Sequence, residues 1–416
     1  MKIGFVSTRL AGVDGVSLET AKLVTILQRN GHECFYCAGQ LSDAPGTPQG
    51  RLVPPMHFTD PLIKQLHDEA FGLATRRPDL YDRIFDVADE LRAELQMFVE
   101  QFGLDMIISQ NASAIPMNLP LGVAIRDLAE RTRIPVICHN HDFYWERERF
   151  IVNHVQDILN TAFPPHAQTV SHLVINSPMQ RDLYLRRNIQ ATYLPNVFDF
   201  ANPPAAPDDY ARSFREDMGL TDDDIIFMQA TRIIRRKGIE KAIELVRKLN
   251  DDRVILLIAG DDRDDGTGYG AWLREEADRA GIRYRFIGDW LGDSRGERDG
   301  HKVYALWDIY PHADIITYPS IYEGFGNAFV EAMYFQKPVV VRRYAIYKSN
   351  IEPTGVRTVA FDYDITDDTL QQTRQLMTDK SLRQEIAEHN YAISTRHFSY
   401  ETLEAILMPI VEQASR

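Results

Sequence analysis

The sequence predicts an α/β protein of two doubly wound, Rossmann-like domains facing each other across a cleft. Three observations carry that expectation. Over the first 195 residues short apolar runs alternate with amphipathic runs; NVFDFANPPAAPDDYAR, with three prolines in its middle, interrupts them near residue 200; the same alternation then starts again. Strand-sized apolar runs separated by helix-sized amphipathic ones make a parallel sheet covered on both faces. Two such sheets leave a cleft at the carboxyl ends of their strands, where open α/β sheets bind ligands.

In the first half KIGFV is a strand, SLETAKLVTILQRN an amphipathic helix and ECFYC the next strand. Residues 57–102, with TDPLIKQLHDEAF and LYDRIFDVADELRAELQMFVEQF, read as added helices that interrupt the rhythm without ending it. LDMIIS with GVAIRDLAERT, PVICH with a charged stretch, and HLVIN with PMQRDLYLRRN continue it, and ATYLP closes the half. After the proline-rich linker come DIIFMQAT with GIEKAIELVRKL, RVILLIAG with AWLREEADRAG, YRFIG, then ADIITYP with a helix from about Asn327, PVVVRR and the short TVAFD, before the chain returns to helices.

The 416 residues exceed what one ordinary core can bury, and 44% apolar with 25% charged residues is the balance of a folded soluble protein. A net charge of −14 argues against nucleic acid or an anionic bilayer as a partner of the whole surface. No segment approaches the roughly 18 apolar residues of a membrane span, and MKIGFVSTRL turns polar too soon for a secretion signal. The expected location is therefore cytoplasmic. Cys34 and Cys37 form a C-x-x-C, but on a strand residues three apart point to opposite faces, so packing is preferred to redox or zinc chemistry.

Two strand-to-helix junctions of the second half carry the chemistry. One holds Arg232, Arg235, Arg236 and Lys237, four cations within six residues, beside a helix starting near Gly238. Alone this is equally a solvated basic loop. The other junction, YEGFGNAFVE, puts Gly324 and Gly326 ahead of a helix whose first N–H groups can face an anion. Two strand ends of one sheet share an edge, so the cations and amide donors can converge on a diphosphate. Glu331 lies about one helical turn further on, about 5 Å along the axis, which fits the offset from phosphate to ribose. A carboxylate there can accept both protons of the ribose diol. Glu323 stands before the glycines, facing whatever the diphosphate carries, where it can stabilise positive charge on a sugar as the glycosidic bond breaks.

The stretch ADIITYPSIYEGFGNAFVEAMYFQKPVVV resembles the signature segment of the retaining family-4 glycosyltransferases, which have the two-domain GT-B fold. ATRIIRRKGIEKAIELV resembles the family's loop ending in Lys-Gly, LPNVFD at 194–199 its hinge, and RHFSYETL at 396–403 its closing segment. The resemblance implies an acceptor domain over 1–199, a donor domain over 200–395 and a helix over 396–416 that packs back on the first domain. It implies that Arg232 and Lys237 hold the donor diphosphate and act in catalysis, that Glu323 meets the donor sugar, that Gly324, Phe325 and Gly326 lend backbone contacts, and that Glu331 binds the ribose. His141, followed by Asp142, matches a histidine that some members place beside the donor sugar, and is preferred to His139. Where relatives commonly carry Gly-Gly this chain has Asp14-Gly15, and Gly15 alone is carried over as donor-binding.

The implied reaction transfers a hexosyl group from a nucleoside diphosphate sugar, a UDP sugar first and a GDP sugar second, to a hydroxyl of a soluble acceptor, with retention and with neither metal nor cofactor. Acceptor contacts are expected in the first domain from Asn111, Asn118, Tyr144, Trp145 and Arg147. A sugar-nucleotide epimerase of the same fold is the alternative enzyme, and a two-lobed sugar-binding protein the alternative without catalysis. The charged stretch 290–303 is longer than the usual connection, and shapes the nucleotide pocket, forms a partner surface or is merely solvated. DDRDD at 261–265 reads as a solvated loop.

Overall fold

The computed structural model describes all residues except Val13, Ala74, 261–267 and 415–416, so the acidic run at 261–265 lies outside the described residues. The chain divides into two compact units, residues 1–196 with the helix Tyr400–Ala414, and residues 197–399.

The first unit is built on seven parallel strands: β1 (Lys2–Ser7), β2 (Glu33–Ala38), β3 (Gly50–Leu52), β4 (Met106–Gln110), β5 (Val136–Asn140), β6 (Val170–Val174) and β7 (Thr192–Tyr193), in the order β3-β2-β1-β4-β5-β6-β7. Its central strands β4 and β5 are buried along their length, with polar residues only at their carboxyl ends, because helices cover both faces and leave no wet side to require alternation. The added helices Pro61–Ala70 and Leu80–Phe102 pack through Ile63, Leu66, Ile84, Leu91, Leu95 and Phe98 into that core. The terminal helix returns to the helix Gly15–Arg29: Asn30 donates to Glu404 at 3.0 Å, and the Arg29 guanidinium stands 5.2 Å from the Tyr400 ring. Burial pushes the thiols of Cys34, Cys37 and Cys138 up to about 12, so they remain protonated packing groups.

The second unit holds six parallel strands: β8 (Ile225–Gln229), β9 (Val254–Ile258), β10 (Arg283–Phe286), β14 (Ile315–Tyr318), β15 (Val339–Arg342) and β16 (Val359–Phe361), in the order β10-β9-β8-β14-β15-β16. The charged stretch is not a plain loop. It forms a small sheet of β11 (Leu291–Gly292), β12 (Gly296–Arg298) and β13 (His301–Ala305), in the order β11-β13-β12. β12 and β13 pair antiparallel across Asp299 and Gly300, both at positive φ (49° and 78°), as a two-residue hairpin turn requires. No described helix is long and apolar enough to cross a membrane.

Three histidines of the first unit make its stability pH-dependent. Burial drives His141 and His172 down to about 4 and His139 well below its ordinary value, against an unfolded value near 6.5. Between pH 6.5 and 4 the unfolded chain binds more protons than the folded one, so stability is fully present above the unfolded value and is lost as pH falls through that window. Thermal unfolding at fixed ionic strength is expected to show Tm falling over this range, less steeply in His172→Phe than in the wild type.

Candidate active site

In the second unit β8 and β14 are neighbours, so the loops after them leave the same edge of the sheet. Backbone joins the two loops: Ile321 N donates to Arg236 O at 2.8 Å. Arg236 Nη1 also donates to Tyr322 O at 3.1 Å. Glu323 is thereby set between two cations, with Lys237 Nζ 2.5 Å from one carboxylate oxygen and Arg236 Nη1 2.7 Å from the other. Its side chain is only 7% exposed. Burial alone would raise the Glu323 carboxyl, but Lys237 and Arg236 outweigh it and hold the group below its ordinary value, hence ionised. Burial draws the Lys237 ammonium down, against Glu323, which raises it. Arg232 is exposed; its carbonyl accepts from Ile234 N at 3.1 Å, while its guanidinium has no hydrogen-bond or ion-pair partner among the described residues.

The glycine turn is held from beneath by two tyrosines. Gly326 has φ +126°, outside the range of L side chains, and a Cβ there would come 2.3 Å from Tyr344 Oη. The same hydroxyl donates to Phe325 O at 2.9 Å. The Phe325 ring packs edge-on against Phe398 and is buried, so only its backbone faces the loop. Tyr318, raised well above its ordinary value by burial and then by the charge of Glu323, stays protonated.

The helix Asn327–Tyr334 follows, and Glu331 lies one turn inside it. Trp307 Nε1 donates to one of its oxygens at 2.7 Å and Tyr310 Oη to the other at 2.9 Å. Burial and the carboxylate raise the Tyr310 hydroxyl well above its ordinary value, which keeps it a donor.

In the first unit the ends of β4 and β5 form a second cluster. Asn111, at φ +57°, accepts from His141 N at 2.9 Å and donates to Asp142 Oδ1 at 2.9 Å, while Arg147 closes the group by pairing with Asp142. His139 and His141 flank Gln110 Oε1, at 3.0 and 3.4 Å. His141 is the less buried of the two and, pushed down to about 4 by burial against Asp142 and Asp14, is neutral at pH 7. Tyr144 is buried, its hydroxyl accepting from Gln156 at 3.0 Å, and Trp145 stacks on Phe143 at 4.5 Å.

One expected ligand contact is spent on structure instead. Asn118 is 1% exposed; it caps the helix Leu119–Thr132 by accepting from Leu121 N, and donates to Pro55 O and Met56 O, all at 3.0 Å. Its amide is thus turned inward. Gly15 opens its helix, but Asp14 Oδ1 already accepts from Val16 N at 3.0 Å and Ser17 N at 3.2 Å. An incoming phosphate would meet a carboxylate there rather than bare amides.

The family model described as Glycosyl transferases group 1 matches residues 211–392. Mannosylglucosylglycerate synthase of Thermotoga maritima is 31% identical over 98% of this chain and 99% of its own length. The chain belongs to the group 1 glycosyltransferases. This glycosyltransferase is likewise 32% identical to the mannosylglucosylglycerate synthase of Petrotoga mobilis, over 86% of each chain. Its backbone resembles that of Anabaena HepE, solved in complex with UDP and glucose, at TM-score 0.66 and 16% identity over 99% of this chain and 100% of that one. The shared architecture is the GT-B fold.

Sequence reading of this glycosyltransferase missed Tyr318, Tyr344, Trp307 and Tyr310. Arg236 was visible as one of four adjacent cations, but only the backbone pairing of the two loops turns it, rather than Arg232, toward Glu323. The tyrosines carry no spacing signal, because each meets its carboxylate or carbonyl through the fold alone.

Proposed function

We propose that this glycosyltransferase moves a hexosyl group from a nucleoside diphosphate sugar to a hydroxyl of a soluble acceptor with retention of anomeric configuration. One observation carries the reading: a buried Lys237–Glu323–Arg236 cluster and Glu331 stand on the two sides of the glycine-flanked start of one helix, in a single unit. The diphosphate would lie at that helix start, with Lys237, Arg236 and exposed Arg232 offsetting the charge that grows as the bond to the sugar breaks. Side chains supply that positive charge, so no metal is assigned to the step. Glu323 fixes the two cations and accepts from donor-sugar hydroxyls; Glu331 takes the ribose diol. The leaving phosphate removes the acceptor's proton on the face it departs from, which gives retention.

The relatives' name describes a product containing mannose, glucose and glycerate. We extend that chemistry to this chain: the acceptor carries a carboxylate, for which Arg147, paired with Asp142, and Arg149, both exposed in the first unit, offer guanidinium groups. A UDP sugar is placed first as donor, on the UDP bound by HepE, and a GDP sugar second.

The test offers UDP-glucose, UDP-galactose and GDP-mannose with glycerate or glucosylglycerate, following nucleoside diphosphate release and the product's anomeric proton by NMR. Release that needs the acceptor, with the donor's anomeric configuration preserved, is the expected result. An inverted product removes the retaining reading, and an isomerised nucleotide sugar without release turns it into epimerisation.

A further inference from the structure

The small sheet β11–β13 has no part in the reaction as proposed, yet it ends directly in the residues that hold Glu331. We propose that this sheet is a positioning device for the ribose-binding carboxylate, acting through Arg295, Asp308, Trp307 and Tyr310. The inference rests on the assignment of the ribose to Glu331.

The physical difficulty is local. Trp307 lies on the single four-residue turn Leu306–Ile309, and a helix that short does not hold itself. Trp307 is 49% exposed, so packing alone does not fix its indole either. Asp308 supplies the missing constraint. It is 7% exposed, and its Oδ2 accepts from Ala305 N at 2.9 Å, closing the turn onto the end of β13. Arg295, from the segment between β11 and β12, then grips both Asp308 oxygens through Nε at 3.1 Å and one of them again through Nη2 at 2.6 Å.

The other side of the same guanidinium is anchored. Arg295 Nη1 and Nη2 reach Asp208 at 2.6 and 3.0 Å, and this pairing holds the Asp208 carboxyl down to about 2. Tyr210 Oη lies 2.9 Å from both Gly296 O and Val303 O, its single proton shared between them, and so ties β12 and β13 to the same segment. Tyr310 is fixed separately, stacked on Phe335 with centroids 4.5 Å apart and planes 5° from parallel. Glu331 therefore receives one donor through the sheet and one through the core. The two donors sit on different oxygens and so fix the plane of the carboxylate, and orientation is what a vicinal diol requires.

The experiment titrates the full-length protein with a nucleoside diphosphate and with its 2′,3′-dideoxy counterpart, by calorimetry, in wild type and in Glu331→Gln, Trp307→Phe and Arg295→Ala. Wild type is expected to prefer the ribose form by roughly tenfold or more, and Glu331→Gln to abolish most of that preference. Trp307→Phe and Arg295→Ala are expected to shrink it about threefold to tenfold while leaving affinity for the dideoxy form unchanged, a pattern that general loosening of the fold would not produce. If Glu331→Gln loses the preference and both other variants keep it, the positioning role is wrong and the ribose assignment stands. If wild type shows no preference, the ribose assignment fails and takes the inference with it.

Discussion

Glu323→Ala is expected to lower transfer by at least about a hundredfold, the scale of losing one preorganised electrostatic group from a closed site. It removes the shared counter-ion of Arg236 and of Lys237, whose residue is 8% exposed. An uncompensated buried charge costs on the order of 3–5 kcal/mol, so Tm should also fall in the absence of ligand. A nucleoside diphosphate brings negative charge back to the same cations and should restore part of that loss, leaving its affinity nearly unchanged. The sign of the result therefore separates roles: turnover falls, unliganded stability falls, and nucleotide affinity holds. A variant whose affinity falls in step with its turnover would instead place Glu323 on the nucleotide.

Gly326→Ala is expected to weaken donor binding more than tenfold with little change in overall secondary structure. At φ +126° an L side chain is strained by about 1–3 kcal/mol wherever it is placed. Here the added methyl also meets Tyr344 Oη at 2.3 Å, and Tyr344, 3% exposed, cannot withdraw without giving up its bond to Phe325 O. The turn that aims the helix start must therefore move. Calorimetry with a nucleoside diphosphate, beside circular dichroism, checks this; unchanged affinity would mean that the turn does not face the ligand.

The sequence made the two-unit architecture legible because strands buried on both faces are written as short apolar runs, VILLI at β9 and the VIC of β5 among them. The same holds for Glu323, Lys237 and Glu331, whose places follow from loop and helix spacing. The partners of those residues were not legible. Trp307 meets Glu331 across 24 positions of chain and Arg236 meets Glu323 across 87, distances at which spacing carries no information. The hairpin inside the charged stretch did carry a local signal, the Asp299-Gly300 pair, which the surrounding charges concealed. Asn118 shows the converse: a polar side chain ahead of a helix reads as a ligand contact until the backbone reveals it as a cap.

The central claim is that the cations of the 232–237 loop and the carboxylate at 331 bind one nucleoside diphosphate. Titration of wild type, Lys237→Ala and Glu331→Gln with UDP and GDP tests it most directly. The account gives binding of one of the two nucleotides to the wild type, at least about tenfold weaker in each variant, with free pyrophosphate weakened by Lys237→Ala alone. Equal affinity for nucleotide in all three proteins would contradict it.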